Sequence, residues 1–467
     1  MTPTTKQYDA LILGSGQAGN PLASAFAAKG KHVAVIERAF VGGTCINYGC
    51  TPTKTMVASA EVAYLARHAA EFGVRTGAVS VELPIIRNRK RNLVQSWREG
   101  SEKRLKDVDL IHGEASFLSP KEIQVRLNQG GSRTLTAPII VIDTGLSPGR
   151  PDLPGLDTVP ALDNVSIMEL DRLPEHLLVL GGGYIGLEFA QMFRRFGSRV
   201  TILQDGPQLL PAEDEDVGQE VAKILREDGI NLLLSAEAHS VCPADNHGIS
   251  ITVTTGATTL DLEGSHLLVA TGRKPDTATL NLAAAGIATN PHGFIQVDEY
   301  LQTSVPGIYA TGDINGGPAF THVSYDDYRI LKANLLESSE DKPMHSTKDR
   351  ILPYCVFLDP QLGRVGLSEK QAAAEGIKVR VAKLPMSSVA RALETGQTRG
   401  FLKALVDPET HQILGAACLA QDGGEIMAML QIAMLGKLPA TTLQNAMLAH
   451  PTLAEALNTL FAKLEDA

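Results

Sequence analysis

Three features of the sequence predict an α/β fold made of two Rossmann-like dinucleotide-binding domains plus a C-terminal α+β domain. The chain of 467 residues is too long for one hydrophobic core and implies about three domains. A strand–glycine loop–helix–strand pattern stands near the N-terminus and recurs at residues 177–203, the mark of repeated mononucleotide-binding halves. Beyond a polar, charged stretch at 338–348, short strands and helices mix without that pattern.

Taken in order, Ala10-Leu11-Ile12-Leu13 is a short apolar run ending in glycine, as a buried parallel strand should be. The loop Gly14-Ser15-Gly16-Gln17-Ala18-Gly19 comes next, then a helical run to Lys29-Gly30 and a strand at 33–36 that ends in Glu37. Gly14 makes the tight turn, Gly16 admits a pyrophosphate close to the backbone, and Gly19 lets helix and strand pack. Glu37, 23 residues after Gly14, is placed to take ribose hydroxyls. A plain glycine turn would not need this flanking order of strand, helix, strand and acid.

The next stretch is Gly42-Gly43-Thr44-Cys45-Ile46-Asn47-Tyr48-Gly49-Cys50-Thr51-Pro52-Thr53-Lys54. Pro52 suits the start of a helix, so Cys50 sits where amide N–H groups and the helix dipole favour a thiolate. Cys45 is near enough in sequence to form a disulfide with it, and such a pair is a redox device. The alternatives are two buried structural cysteines or half a zinc site, but no further ligand cluster accompanies them. Helices are expected at 53–68 and, charge-rich and solvated, at 85–106. Strands at 123–125, 134–136 and 139–142 close on Asp143-Thr144-Gly145. Pro148, Pro151 and Pro154 then mark the end of a first domain, 1–149.

The second copy runs from Leu177-Leu178-Val179-Leu180 through Gly181-Gly182-Gly183-Tyr184-Ile185-Gly186 to a helix at 187–196 and a strand at 200–203. Gln204 lies 23 residues after Gly181, where the first copy has Glu37; the two sites therefore bind differently. A second domain is read at 150–270. Two later strands end in Thr271-Gly272 and Thr311-Gly312, at the strand ends where ligands of such sheets lie. Asp313 is placed to accept a hydroxyl from a polyol chain, the alternative being a helix cap. Residues 271–345 return to the central domain. A last domain, 346–467, holds strands at 402–406 and 415–419, a helix at 425–435 and the stretch Leu448-Ala449-His450-Pro451-Thr452-Leu453-Ala454-Glu455.

The net charge of −10 comes without a Lys/Arg block, which argues against nucleic acid or an anionic membrane as partner. Residues 1–8 lack an apolar signal core and no stretch is long enough to span a bilayer, so the reading is cytoplasmic. Five cysteines with one close pair do not make a disulfide scaffold. Cys242, Cys355 and Cys418 are isolated, and no metal site is expected.

Together these motifs resemble the flavin-dependent pyridine nucleotide–disulfide oxidoreductases (class I, with glutathione reductase and dihydrolipoamide dehydrogenase), nearest their mercuric reductase-like branch. The resemblance covers residues 11–461 in the family's order of parts. Tyr48 departs from the small aliphatic residue usual between the cysteines, which bears on access to the disulfide. The resemblance implies FAD held by Gly14, Gly16, Gln17, Ala18, Gly19, Glu37, Thr44, Lys54, Ala115, Gly145, Asp313 and Thr321. It implies NADH or NADPH held by Gly181, Gly183, Tyr184, Ile185, Gly186, Glu188, Gln204 and Gly272, with Tyr184 as a lid. Cys50 would be the flavin-side thiolate and Cys45 the interchange thiol, with Lys54 and Glu188 near the flavin N5. His450 read alone is a loop histidine; the resemblance makes it an acid–base pair with Glu455 that serves the partner subunit of a homodimer, so the last domain becomes the dimerisation domain.

Hydride would pass from nicotinamide to flavin, and electrons on to the Cys45–Cys50 disulfide and a small-molecule acceptor. Gln204 lacks the carboxylate that normally selects NADH. Asp205 after it would repel a 2′-phosphate, with only Arg194, Arg195 and Arg199 able to compensate, so the choice between NADH and NADPH leans to NADH. The expected acceptor is a small disulfide or other thiol-reactive compound. The chain shows no metal-carrier segment before Ala10 and no cysteine after Cys418 to hand over Hg²⁺. Alternatives are a mercuric or copper ion reductase, a dihydrolipoamide dehydrogenase-type enzyme, and a non-catalytic flavoprotein redox sensor.

Overall fold

The computed structural model describes residues 6–245, 248–338 and 344–466, so part of the linker expected at 338–348 lies outside the described residues. The fold is mixed α/β, and the chain divides into two compact units. One gathers Met1–Thr55, Ile85–Gly149 and Arg273–Arg350; the other gathers Met56–Pro84, Arg150–Gly272 and Ile351–Ala467.

The first unit is built on an eight-stranded sheet. Its centre is parallel, with Asp109–Ser119, Val33–Glu37, Ala10–Leu13, Ile139–Ile142 and Ile308–Ala310 side by side. Leu13 is in register with both Ile36 and Ile142, and Ile142 with Ala310. The carboxyl ends of four strands therefore align, and the residues one position later (Gly14, Glu37, Asp143, Thr311) gather at one edge. Side chains alternate along each strand. Leu11, Leu13, Ile36 and Ile142 enter a core with Phe117 and Leu280. Ala10, Ile12, Val33 and Val35 meet Leu22, Phe26, Ile330 and Leu331 from helices Gly19–Ala28 and Thr321–Leu336. With both faces covered, the apolar runs are continuous rather than alternating. The proline-rich boundary contains a strand, Leu146–Pro148, that pairs antiparallel with Arg273–Pro275, so the chain leaves and re-enters this unit through a two-stranded ribbon.

The second unit holds a four-stranded parallel sheet ordered Asn231–Leu233, Arg199–Leu203, His176–Leu180, His266–Val269. Helix Tyr184–Phe196 comes directly after its glycine loop. A three-stranded antiparallel sheet lies at Ala236–Pro243, Ile249–Thr255 and Thr258–Gly264. The last part is a six-stranded antiparallel sheet whose core residues Leu402 and Ala404 pack with Ile426 and Leu430 of helix Gly423–Leu435 and with Phe461. Lys403, buried within this unit, has carboxylates of Asp214, Asp216 and Glu369 around its ammonium, as a buried charge requires.

Element ends differ from expectation by a turn or less. The helix expected at 53–68 begins at Cys50 (Cys50–His68), and the one expected at 85–106 is Leu83–Arg104. Pro52 falls inside the first turn, where its missing N–H has no partner to lose. The short helix Gly43–Asn47 that carries Cys45 was not expected; five residues between two glycines carry no readable period.

Candidate active site

The first glycine loop turns at Gly14, whose φ of +103° is open to glycine. A side chain there would run into the Asp143 backbone. Glu37 closes the loop from the next strand: its Oε2 accepts the Ser15 amide at 3.1 Å and the Ser15 hydroxyl at 2.6 Å, while Oε1 accepts the Ala39 amide at 2.8 Å. The carboxylate expected at ribose hydroxyls thus also holds the loop. Gln17 Nε2 donates to the Gly42 carbonyl at 3.0 Å, linking the glycine loop to the cysteine segment. Gly145 lies just past its strand with φ +66°, and a Cβ on it would meet open space. Ala115 is buried in strand Asp109–Ser119.

The cysteine segment enters through left-handed residues, Gly42 at +105° and Gly43 at +66°. Asn47 pins the turn, its Nδ2 donating to the carbonyls of Val41 at 3.1 Å and Gly43 at 2.9 Å. The Thr44 carbonyl accepts the Tyr48 amide. The Tyr48 ring stands 6.5 Å from that of Phe40, and Arg98 covers the Phe40 ring at 3.7 Å. Cys45 and Cys50 are both free thiols here and hydrogen-bond to one another. That bond, and then burial, raises the Cys45 pKa. Cys50 Sγ lies 3.3 Å from Thr321 Oγ1, brought from 271 residues away. Lys54 lies one turn further along the helix that Cys50 begins. Asp313, on the 3₁₀ turn Gly312–Asn315, pairs with Arg273 at 2.8 Å.

The second glycine loop repeats the first within its own unit. Gly181 has φ +114°, and the Gly182 amide donates to Gln204 Oε1 at 2.7 Å. Gly186 sits where a Cβ would collide with the Gly181 carbonyl, whereas Gly183 and Gly272 face open space. Gln204 Nε2 and the Gly206 amide both donate to Asp205 Oδ1, at 2.8 and 2.7 Å. Tyr184 and Ile185 open the helix on which Glu188 lies. Glu188 is 3 % exposed, and its Oε1 accepts the Phe357 amide at 2.8 Å. His450 Nδ1 stands 3.0 Å from each Glu455 oxygen, with the imidazole largely exposed.

One residue at the first loop went unread in the sequence. Asp143 is buried, and its Oδ2 accepts the Gly19 amide at 2.7 Å across 124 residues. The readable signal was its place before Thr144-Gly145, where the other two Thr-Gly strand ends carry Ala270 and Ala310. Among the described residues, no group of three or more His, Cys, Asp or Glu is placed to hold a metal ion. No described helix is long and apolar enough to cross a membrane.

The profile of the pyridine nucleotide-disulphide oxidoreductases matches residues 8–327, and that of their dimerisation domain residues 352–461. The probable pyridine nucleotide-disulfide oxidoreductase RclA of Escherichia coli is 38 % identical over 98 % of this chain and 99 % of its own length. The mercuric reductase of Bacillus cereus is 35 % identical over 96 % of this chain and 70 % of its own. The Cu(II) complex of the HOCl-induced flavoprotein disulfide reductase RclA from Escherichia coli superposes with a TM-score of 0.87 at 37 % identity, covering 98 % of this chain and 99 % of that one.

Proposed function

This chain belongs to the pyridine nucleotide-disulphide oxidoreductase family, whose members use FAD and NAD(P)H, and from that premise we propose that its Cys45–Cys50 pair passes reducing equivalents to a small disulfide or another oxidised, thiol-reactive acceptor. The observation that carries the reading is the thiol pair itself. Cys45, on the short helix Gly43–Asn47, shares a hydrogen bond with Cys50 at the start of the next helix, in the unit that bears the first glycine loop. FAD, when bound, supplies the two-electron relay between nicotinamide and disulfide. The first loop suits its diphosphate: Gly145 beside the loop leaves open space, and the helix Gly19–Ala28 presents its N-terminus there. On this reading 1–149 and 271–345 serve FAD, 150–270 serves NAD(P)H and 346–467 dimerisation.

In one turnover NAD(P)H gives up a hydride, one further proton is taken up, and one acceptor disulfide becomes two thiols. Cys45 is the thiol that meets the acceptor and Cys50 the flavin-side thiol, with the Thr321 hydroxyl beside it. His450 carries the proton, and Glu455 fixes its tautomer by accepting at Nδ1. Lys54, Glu188 and the Tyr184 lid are assigned from the family resemblance. NADH is the coenzyme, because the Asp205 carboxylate beyond Gln204 would face a 2′-phosphate with like charge.

A homodimer is supported by the match to the dimerisation profile. Helix Gly423–Leu435 also leaves Ile432 69 % and Leu435 63 % exposed, an apolar face that a second copy would cover. Mixing Cys45→Ser with His450→Ala protein, each inactive, restores part of the activity if the site is completed across subunits. No recovery after verified subunit exchange rejects that arrangement.

A second reading, reduction of a metal ion, is favoured by likeness to the Cu(II) complex of RclA and to mercuric reductase. It lacks a second dithiol. Cys418 is buried, with its pKa pushed up to about 12 by that burial, and Cys242 is exposed but isolated. NAD(P)H oxidation with a panel of disulfides, against Cu²⁺ and Hg²⁺ in excess thiol, separates the readings. Faster sustained turnover on either metal would reject the disulfide assignment.

A further inference from the structure

The floor of the first glycine loop is a carboxyl group, and that of the second is not. Asp143 comes just after the strand Ile139–Ile142 and is 7 % exposed. Its Oδ2 accepts the Gly19 amide at 2.7 Å. The same oxygen lies 2.7 Å from where a Cβ on Gly16 would stand and 2.8 Å from one on Gly19. Its Oδ1 is 3.5 Å from the Thr311 hydroxyl. At the matching position Ala270 lies beneath the second loop, where the Gly181 Cβ would meet its backbone as the Gly14 Cβ would meet that of Asp143. The third Thr-Gly strand end carries Ala310.

The charges around Asp143 are acidic. Glu37 acts on it from the strand beyond Ala10–Leu13, Asp313 from the 3₁₀ turn and Asp327 from helix Thr321–Leu336. Each of these has its own partners: Glu37 the Ser15 and Ala39 amides, Asp313 the Arg273 guanidinium, Asp327 that of Arg350 at 2.5 Å and the Gly312 amide at 2.7 Å. Among the described residues no cation pairs with Asp143. A carboxylate here also occupies an amide at the N-terminus of helix Gly19–Ala28, where an anionic ligand would draw on the same partial charge.

We propose that Asp143 is a proton-carrying positioning residue of the FAD diphosphate seat, neutral while the diphosphate is held and repelling it when ionised. Protonated, the side chain gains an O–H donor for an acceptor oxygen and loses its like charge toward the phosphates. Burial first, then Asp313, Asp327 and Glu37, push its pKa up to about 8 against the pull of the Gly19 amide. A bound diphosphate raises it further. FAD binding is then fully supported below that pKa and weakens as pH rises through it, with a proton taken up on binding.

The inference rests on the first glycine loop holding FAD. Its test is FAD release from the diluted holoenzyme, read by flavin fluorescence between pH 6.5 and 9.5, for the wild type, Asp143→Asn and Asp143→Ala. The wild-type Kd should be flat to about pH 7 and rise at least about tenfold by pH 9.5. Asp143→Asn, which keeps the shape of the neutral side chain, should stay within about twofold across the range. Asp143→Ala, checked for wild-type-like unfolding, should be flat as well. Parallel pH profiles for wild type and both variants overturn the proposal. So does loss of FAD at every pH in both folded variants. A wild-type protein that retains no FAD at any pH instead overturns the assignment of this loop to FAD.

Discussion

The two glycine loops answer one backbone problem with different side chains, acidic beneath the first and neutral beneath the second. Both turn at a left-handed glycine, Gly14 at +103° and Gly181 at +114°. Both hold a loop amide with an oxygen from the end of the next strand, Ser15 to Glu37 and Gly182 to Gln204. The first loop, however, is underlain by two acids, Glu37 and Asp143, whereas the second has an amide and an alanine, Gln204 and Ala270. The geometry of a diphosphate seat is therefore set by the main chain. On the proposed assignment, the preference for one dinucleotide over another is left to the side chains at the strand ends. That division allows each loop to be altered while the other serves as its control.

The largest expected effect breaks the comparison at the second glycine. Gly16→Ala places a methyl 2.7 Å from the Asp143 carboxylate, while Gly183→Ala meets nothing within 4 Å. Gly16→Ala should purify without FAD, or with affinity lowered more than about 100-fold, given overpacking costs of about 1–3 kcal/mol added to a displaced floor. Gly183→Ala should retain FAD and change only the KM for NADH. The ratio of flavin to protein absorbance distinguishes them, and equal retention would show that the Asp143 contact is easily yielded. Combining Gly16→Ala with Asp143→Ala should recover part of the lost affinity, because the two residues share one contact.

Exchanging the strand-end residues should have a smaller effect. Glu37→Gln makes the first loop resemble the second and removes a charged acceptor from three hydrogen bonds. At about 1.5–3 kcal/mol for bonds to a charged group, FAD should bind about ten- to 100-fold more weakly. Gln204→Glu makes the second resemble the first and should raise the NADH-over-NADPH ratio of kcat/KM by about tenfold. An unchanged ratio would remove Gln204 from coenzyme choice.

The smallest effect concerns a contact the second loop has no counterpart for. Thr321→Val removes the hydroxyl 3.3 Å from Cys50 Sγ. Losing one hydrogen bond of about 1 kcal/mol should slow disulfide reduction about fivefold. Cys50→Ser, by contrast, should abolish the long-wavelength absorbance of the two-electron-reduced enzyme, whereas Cys45→Ser should retain it. Equal spectra from the two serine variants would reverse their proposed roles.

Neighbouring residues make demands of one another that can be read along the chain. The glycine loops at 14–19 and 181–186, the apolar runs before them and the pairing of Cys45 with Cys50 are local. Positive φ, continuous burial and helix initiation each leave a mark within a few positions. The short helix Gly43–Asn47 escaped because too few residues carry its period. Three contacts were decided by the tertiary structure: the Gly19 amide on Asp143 across 124 residues, Thr321 beside Cys50 across 271, and the ion pair of Arg273 with Asp313. The first depends on sheet register, which aligns Leu13, Ile36, Ile142 and Ala310 and so delivers Gly14, Glu37, Asp143 and Thr311 to one edge. A one-residue slip in any of those strands would turn its side chains to the opposite face. That alignment is a property of paired strands, and no single stretch of sequence carries it.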